Sequence, residues 1–523
     1  MKKVLVILLA LAMVLGLAAC GGASSGGSSA PEKKEPQELI IAIELDQAGL
    51  DPNQVSWTDV PHLLTSGVLF SYNKDNTGLV PEICESIEVS EDGLRIDFTL
   101  PEGAKFSNGD PLTAQAVKDS LMRTKEISLY AEDLATLEDV EVTDDTHGAL
   151  IMSEASPFMY ASLVSAYGAI VDVQEAEKVG DDAFNAEGYV SCGPYVIDSW
   201  TAGSEMTFVP NPNYKTFNPE KKNQDATNLY DKITVRFIPD GFTRVSELQA
   251  GNVDIITSVG ASDYETVLND SSLKSYKYDY AGMVYAMFNL DDEITGDLKV
   301  RQAINLGIDR NAICEAMGNT CSPSYSMINS AIIGFSAEED KKLADEWAYD
   351  PEKAAALLEE AGWVDSDGDG IRDKDGKPLQ IAYDVAASYE AQAQSAPIIQ
   401  EQLKQIGIDI SVSVADSSVV KDKLASGDYQ MACLMYGWND ADIMIYLRPL
   451  QGEEILAVLA EARVITDGQA RIEKYVEAQE LIDSYLPSFG LFYPNTMMAT
   501  TDKITMTVYG DGRTPFEDIE KAE

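Results

Sequence analysis

Histidine is nearly absent from this 523-residue chain, and bases are few. His62 and His147 are the only two histidines, and neither sits beside a cysteine cluster, which removes the usual donor set for zinc or haem. A hydrolase with an imidazole base would have to use His62, behind Pro61 in a predicted helix, or His147, in a polar turn. The body has no G-x-S-x-G elbow and no G-x-x-x-x-G-K-S/T loop, so neither a serine nucleophile nor a phosphate cradle is present. Acids are plentiful enough for paired-carboxylate chemistry, but no pair stands out. No enzymatic activity is expected, and any ATP hydrolysis belongs to another polypeptide. Lys and Arg total 38 against 87 Asp and Glu, a formal charge of −49. Such a surface repels nucleic acid. It suits cationic ligands, or is simply a solvated acidic exterior.

Cysteine is also sparse. Beyond Cys20 there are Cys84, Cys192, Cys314, Cys321 and Cys433, an odd set with no C-x-x-C pair and no disulfide framework. Cys314 and Cys321 are close enough in sequence to pair, and free buried thiols explain the set equally well. Long apolar runs are missing after the N-terminus. There, Lys2 and Lys3 precede an apolar stretch, Val4 to Leu17, too short for a comfortable membrane span. Leu17-Ala18-Ala19-Cys20 resembles the lipobox of bacterial lipoproteins. That resemblance implies a signal peptide over 1–19 and lipidation of Cys20; the alternative is an ordinary secretory signal with an incidental cysteine. Gly21 to Ala30 is almost all Gly, Ser and Ala, followed by charged Pro31 to Gln37, so 20–37 reads as a flexible tether. Loss of Lys2 and Lys3 on cleavage takes the charge from −49 to about −51. The expected product is exported, lipid-anchored and soluble in its body.

The remaining chain is too long for one ordinary core, so two or more lobes are expected. Leu39 to Leu45 reads as a buried strand, and Thr58 to Phe70 has helical spacing. Arg95 to Leu100 alternates, with Ile96, Phe98 and Leu100 on one face. Thr113 caps a helix that carries Val117 and Leu121 inward. Asp350-Pro351 opens a helix that stops at Gly362, and Gln392 to Ile406 is another, followed by an alternating strand from Ile408 to Val414. Helices interleaved with strands imply an α/β fold. Met431 to Met435 begins as a buried strand, then changes within a few residues to Tyr436, Gly437, Trp438, Asn439, Asp440, Ala441 and Asp442. That change suits either a polar cluster delivered to a cleft or a capped strand end. Asp365, Asp367, Asp369 and Asp373 with Gly370 give the D-x-D-x-D-G pattern of a calcium loop. Position twelve is Gly376 rather than an acid, so the competing reading is a solvated acidic hairpin. Any calcium there would be structural, and no cofactor is required.

The run Glu88 to Leu121, EVSEDGLRIDFTLPEGAKFSNGDPLTAQAVKDSL, resembles the signature of the family 5 extracellular solute-binding proteins, with Pro101 where a basic residue is usual. Ser191 to Tyr195, Asn211-Pro212-Asn213-Tyr214, Glu247 to Asp254, Val300 to Asn305 with Ile308-Asp309-Arg310, Glu461-Ala462-Arg463 and Leu491 to Pro494 match further family segments in order. The resemblance implies a two-lobed periplasmic-binding-protein-like fold of type II, in the large peptide-binding class. Lobe I would span 38–284 with a subdomain at about 54–190, lobe II 285–486, and 487–523 would return to lobe I. Hinge crossings are expected near Tyr285 to Leu290 and Pro487 to Tyr493. The implied function is extracytoplasmic capture of a di- or oligopeptide by hinge closure and delivery to an ABC permease with separate ATPase subunits. The alternatives are a nickel complex, sugar or other solute, or a peptide-sensing or chaperone lipoprotein. A monomer is expected.

By the same resemblance, Asp46, Gln47 and Ala48 line the pocket on one side, with Tyr130 as a further candidate. Tyr436, Gly437, Trp438 and Asn439 form the other wall, where Trp438 could also receive a cation on its ring face. Many peptide-binding relatives carry an aspartate three residues after this tryptophan to hold the ligand's α-ammonium. Here that position is Ala441, flanked by Asp440 and Asp442. Either Asp440 takes over the amine, or the ligand lacks a free amino terminus. The chain between Leu447 and Glu453 is shorter than usual, which would open one end of the cleft.

Overall fold

The computed structural model describes residues 37–224, 229–386, 390–447, 452–509 and 512–522. The signal and lipidation expectations, Cys20 included, and most of the shortened segment after Leu447 lie outside them. From Glu38 onward the chain forms one compact unit. Its frame is a twelve-stranded mixed sheet. In chain order the strands are β1 (Glu38–Ile43), β2 (Tyr195–Thr201), β3 (Glu205–Pro210), β4 (Lys232–Phe237), β5 (Ile255–Ile256) and β6 (Leu273–Asp279). The second six are β7 (Gly282–Phe288), β8 (Cys321–Pro323), β9 (Gln380–Ala386), β10 (Asp409–Ala415), β11 (Met431–Gly437) and β12 (Ser488–Thr501). Their order is β10-β9-β11-β7-β12-β5-β1-β4-β3-β2, with β6 and β8 also paired to β12.

The sheet divides along β12. Its first residues, Ser488 to Phe492, pair with β7, and its last, Asn495 to Thr501, pair with β6. The other connection is the two-residue step Tyr280-Ala281 between β6 and β7, where the Tyr280 amide donates to the Pro494 carbonyl at 3.0 Å. The two crossings therefore lie side by side. The expected first crossing, Tyr285 to Leu290, falls mostly inside β7. The pattern misleads there because β7 is buried throughout, with nothing in its burial to mark a junction.

Alternation explains how the second lobe encloses its strands. Val284, Ala286 and Phe288 of β7 join Met431 and Cys433 of β11 in one core. Met283, Tyr285 and Met287 join Ala432, Leu434 and Tyr436 in the core on the other face. A strand apolar on both faces is the pattern of a sheet covered on both sides. The Met431 stretch is thus a central strand, as its composition implies. In the first lobe, a separate antiparallel sheet (Ser86–Val89, Arg95–Thr99, His147–Met152 and Leu137–Val142) packs on the helix Ala114–Ile127. Thr113 caps that helix by accepting the Ala116 amide at 3.2 Å. Ile96, Phe98, Leu100, Val117 and Leu121 are all buried in the resulting core. Thr58 to Phe70 is helical only over Val60–Thr65; the chain then turns to pack Gly67 against Cys192, where a Cβ would collide with the sulfur.

Candidate functional site

A cavity of about 340 Å³ lies between the lobes. The first lobe contributes Ser66, Gly67 and Val68, just past the Val60–Thr65 helix, with Ser165 and Ala166. The second contributes Ala281, Ala331, Ile333 and Asn439. Ser66 to Val68 is fixed by the Ser191 to Pro194 segment: the Gly67 amide donates to Ser191 Oγ at 3.3 Å, and the Gly193 amide to the Thr65 carbonyl at 3.2 Å. The opposite wall is tied just as closely, since the Ile333 amide donates to the Asn439 carbonyl at 2.8 Å and the Ala441 amide to the Ile333 carbonyl at 2.9 Å.

Glu82, Glu220, Lys221, Arg513 and Glu517 bring charge to its lining. Lys221 bridges Glu82 and Glu517. Thr216 donates to Glu82 at 2.8 Å, Asn218 donates to it at 3.0 Å, and Tyr214 donates to Glu517 at 2.9 Å. Burial alone would raise the Glu517 carboxyl, but the ammonium of Lys221 and the Tyr214 hydroxyl bring it below its ordinary value. The same carboxylates hold the Lys221 ammonium well above its ordinary value against the effect of burial. Arg513 donates to the carbonyls of Tyr72 and Asn73 at 3.0 and 3.2 Å, and also to Asn76. Glu220 lines the cavity without an ion-pair partner among the described residues.

Of the residues expected to form the pocket, Asn439 alone lines this cavity. Asp46 is spent within the first lobe, accepting the Trp200 indole at 3.1 Å and the Gly203 and Gln47 amides. Gln47 is buried and Ala48 is exposed, both away from the cavity. Tyr130 donates to the Ser56 carbonyl at 2.6 Å and packs edge-on against Tyr167. Tyr436 donates to the Met327 carbonyl from within the core. Gly437 sits so close to Tyr280 that a Cβ would strike its hydroxyl, so the glycine serves protein packing. Trp438 stacks on Phe158 of the first lobe, with ring centroids 5.3 Å apart and planes 17° apart, and Arg463 lies 5.9 Å from the Phe158 ring. The tryptophan is therefore a contact between lobes.

The two acids have separate fates. Asp440 is fully buried, and its carboxylate accepts both Arg471 guanidinium nitrogens at 2.7 and 2.8 Å and the Asp442 amide at 2.8 Å. Its charge is already balanced by the Arg471 guanidinium, and it is shut off from solvent. The spacing misled because Arg471 comes from the helix Gly468–Tyr485, 31 positions away. Asp442 is equally buried, yet neither oxygen has a hydrogen-bond partner; Arg463 Nε lies 3.4 Å away. Burial pushes its carboxyl up to about 6, partly opposed by Arg463. The residues that do build the cavity gave little warning in sequence, since Glu82, Lys221 and Glu517 meet across separations of 139 and 296 positions.

Elsewhere, Asp365, Asp367 and Asp369 bring carboxylate oxygens within 4.8 Å of one another on the surface. Asp373 is turned away to accept the Ser366 hydroxyl at 2.6 Å. This cluster is not part of the interlobe site. Cys314 and Cys321 are buried with their sulfurs 2.8 Å apart as free thiols.

Two lobes joined by adjacent crossings around a cavity between them define a solute-binding protein of the periplasmic two-lobed class. The model of the bacterial extracellular solute-binding proteins, family 5, middle region, matches residues 78–455, and the chain belongs to this family. It is a substrate-binding protein of an ABC importer, a transport component acting outside the cytoplasm. The oligopeptide-binding protein AppA of Bacillus subtilis (strain 168) is 25% identical over 561 residues, covering 99% of this chain and 98% of its own. The nickel-binding periplasmic protein of Escherichia coli (strain K12) is 26% identical over 400 residues, 71% of each chain. The solved structure of the periplasmic murein tripeptide binding protein MppA, in its unliganded open form, matches with a TM-score of 0.77 at 20% identity, over 93% of this chain and 98% of that one. No helix among the described residues is long and apolar enough to cross a membrane.

Proposed function

We propose that this protein captures a di- or oligopeptide between its lobes and passes it to its permease. The observation that carries this reading is the interlobe cavity, to which both lobes contribute small residues, Gly67 and Ala166 on one side and Ala281 and Ala331 on the other. Such walls suit an extended ligand recognised through its backbone, with side chains left to roomier space. A free amino terminus would be met by Glu220, which forms no ion pair among the described residues, in place of the committed Asp440. Closure is favoured when the ligand touches both walls at once, because only then does it bind the closed state better than the open one.

The test is a thermal-shift and calorimetric screen with di- to octapeptides, nickel complexes and sugars. Peptide at a hundred times its dissociation constant stabilises the protein by about 2.7 kcal/mol. A response to nickel complexes or sugars with none to peptides would reject the peptide assignment while leaving the family untouched. Glu220→Gln should weaken a peptide with a free amino terminus more than its acetylated form. We also infer that Cys20 carries the lipid that holds the body at the outer face of the membrane. Cys20→Ala should then move the protein from the detergent phase to the aqueous phase in cloud-point partitioning.

A further inference from the structure

A second cavity of about 370 Å³ adjoins the first, with Tyr72, Asn76 and Ile333 common to both. It too lies between the lobes. Where they meet, the Thr77 carbonyl lies so close to Gly468 that no side chain fits at that position. The interior is largely apolar, with Leu79, Val89, Pro157 and Ile472 on its walls. Tyr160 also lines it, is only 4% exposed, and its hydroxyl has no hydrogen-bond partner. A buried hydroxyl left unpaired costs about 1–3 kcal/mol, so the site lacks one polar partner. The charge distribution is one-sided. The one lining cation, Arg471, is neutralised by the two-pronged contact to Asp440. The lining acids, Glu91 and Asp467, are exposed and form no ion pair among the described residues.

We propose that this second chamber is a side-chain pocket of the cleft, selecting a ligand residue with an apolar stem and a cationic tip, such as lysine or arginine. The inference rests on the peptide reading of the first cavity. The ligand backbone stays in the first chamber, and one side chain passes Tyr72 and Ile333. Its stem packs on the apolar walls, its head accepts the field of Glu91 and Asp467, and the Tyr160 hydroxyl receives a hydrogen bond. An anionic side chain would be desolvated here without any uncompensated positive charge to meet it, which is strongly unfavourable.

The experiment is titration calorimetry on the full mature body with tetra-alanine and with tetra-alanine carrying lysine, norleucine or glutamate at each position in turn. At one position lysine should bind about threefold to fivefold tighter than norleucine, the yield of partly exposed charge pairs, and at least about tenfold tighter than glutamate. The double variant Glu91→Gln/Asp467→Asn should shrink the lysine-over-norleucine preference at that position alone; Asn retains the helix-capping oxygen. Tyr160→Phe should raise the thermal midpoint of the unliganded protein, because it removes a buried hydroxyl that bonds nothing, and weaken the lysine peptide. If tetra-alanine binds but lysine, norleucine and glutamate are equal at every position, the pocket is wrong and the peptide reading stands. If no peptide binds at all, both fall.

Discussion

Asp442→Asn isolates one buried carboxyl. The native group titrates near 6 against an ordinary 3.8, because it is buried with no hydrogen bond and only an offset contact to Arg463. Between about pH 4 and pH 6 the folded protein therefore holds a proton that the unfolded chain has released. Stability contributed by this protonation is fully present below pH 4 and is lost as pH rises through 6. A shift of about two units at about 1.4 kcal/mol each makes the change about 3 kcal/mol. The measurement is guanidinium unfolding followed by tryptophan fluorescence from pH 4.5 to 7.5, in both wild type and Asp442→Asn. Other raised acids, such as Asp483, occur in both proteins and cancel in the difference. The stability of wild type minus that of the variant should fall from pH 4.5 to about 6.5 and then level off. A difference flat to within about 0.5 kcal/mol would mean that Asp442 is solvated or fully paired, and the burial argument would be refuted.

Further outcomes follow from other contacts. Arg471→Met strands the buried Asp440 carboxylate and should destabilise by about 3–5 kcal/mol in the same assay, with Asp440→Asn less damaging because the remaining arginine keeps its bonds to Tyr475 and the Ala462 carbonyl. Lys221→Met leaves Glu82 and Glu517 facing each other, so stability should drop at pH 7 and recover in part on acidification; limited proteolysis should then release the C-terminal segment first. Phe158→Ala and Trp438→Ala each remove one partner of the interlobe stack, worth about 0.5–1.5 kcal/mol beyond burial. Both should lower affinity while preserving the fold, and the double variant should lose no more than the larger single loss; full additivity would show that the two rings act separately.

The strands and capped helices were legible because they depend on neighbours close in sequence. Asp350 accepts the Lys353 amide at 2.8 Å, and the helix runs Pro351–Glu360; the paired apolar faces of Met431–Gly437 follow directly from an unbroken apolar run. The family match fixed the fold for the same reason, since its motifs sit at turns and caps along the whole chain. The pocket was far less legible. Asp46 and Asp440 have the chemistry of ligand contacts, but Trp200 and Arg471, distant in sequence, claim them first. Arg513, Lys221 and Glu517 carry no local pattern, and only the tertiary structure brings them to one cavity.

The fourteen-residue strand β12 also has a consequence for the order in which the protein is completed. It lies between β7 and β5, so it supplies the central partner of both half-sheets, and it follows the other eleven strands of the sheet in chain order. Until it emerges, the inner edges of β5 and β7 stay unpaired, and the cores on which Phe489, Phe492 and Met498 pack stay incomplete. A chain ending before Ser488 should therefore lose both lobes together, leaving open strand edges prone to association. The strand that joins the two halves of the sheet is thus also the last of its strands to be made.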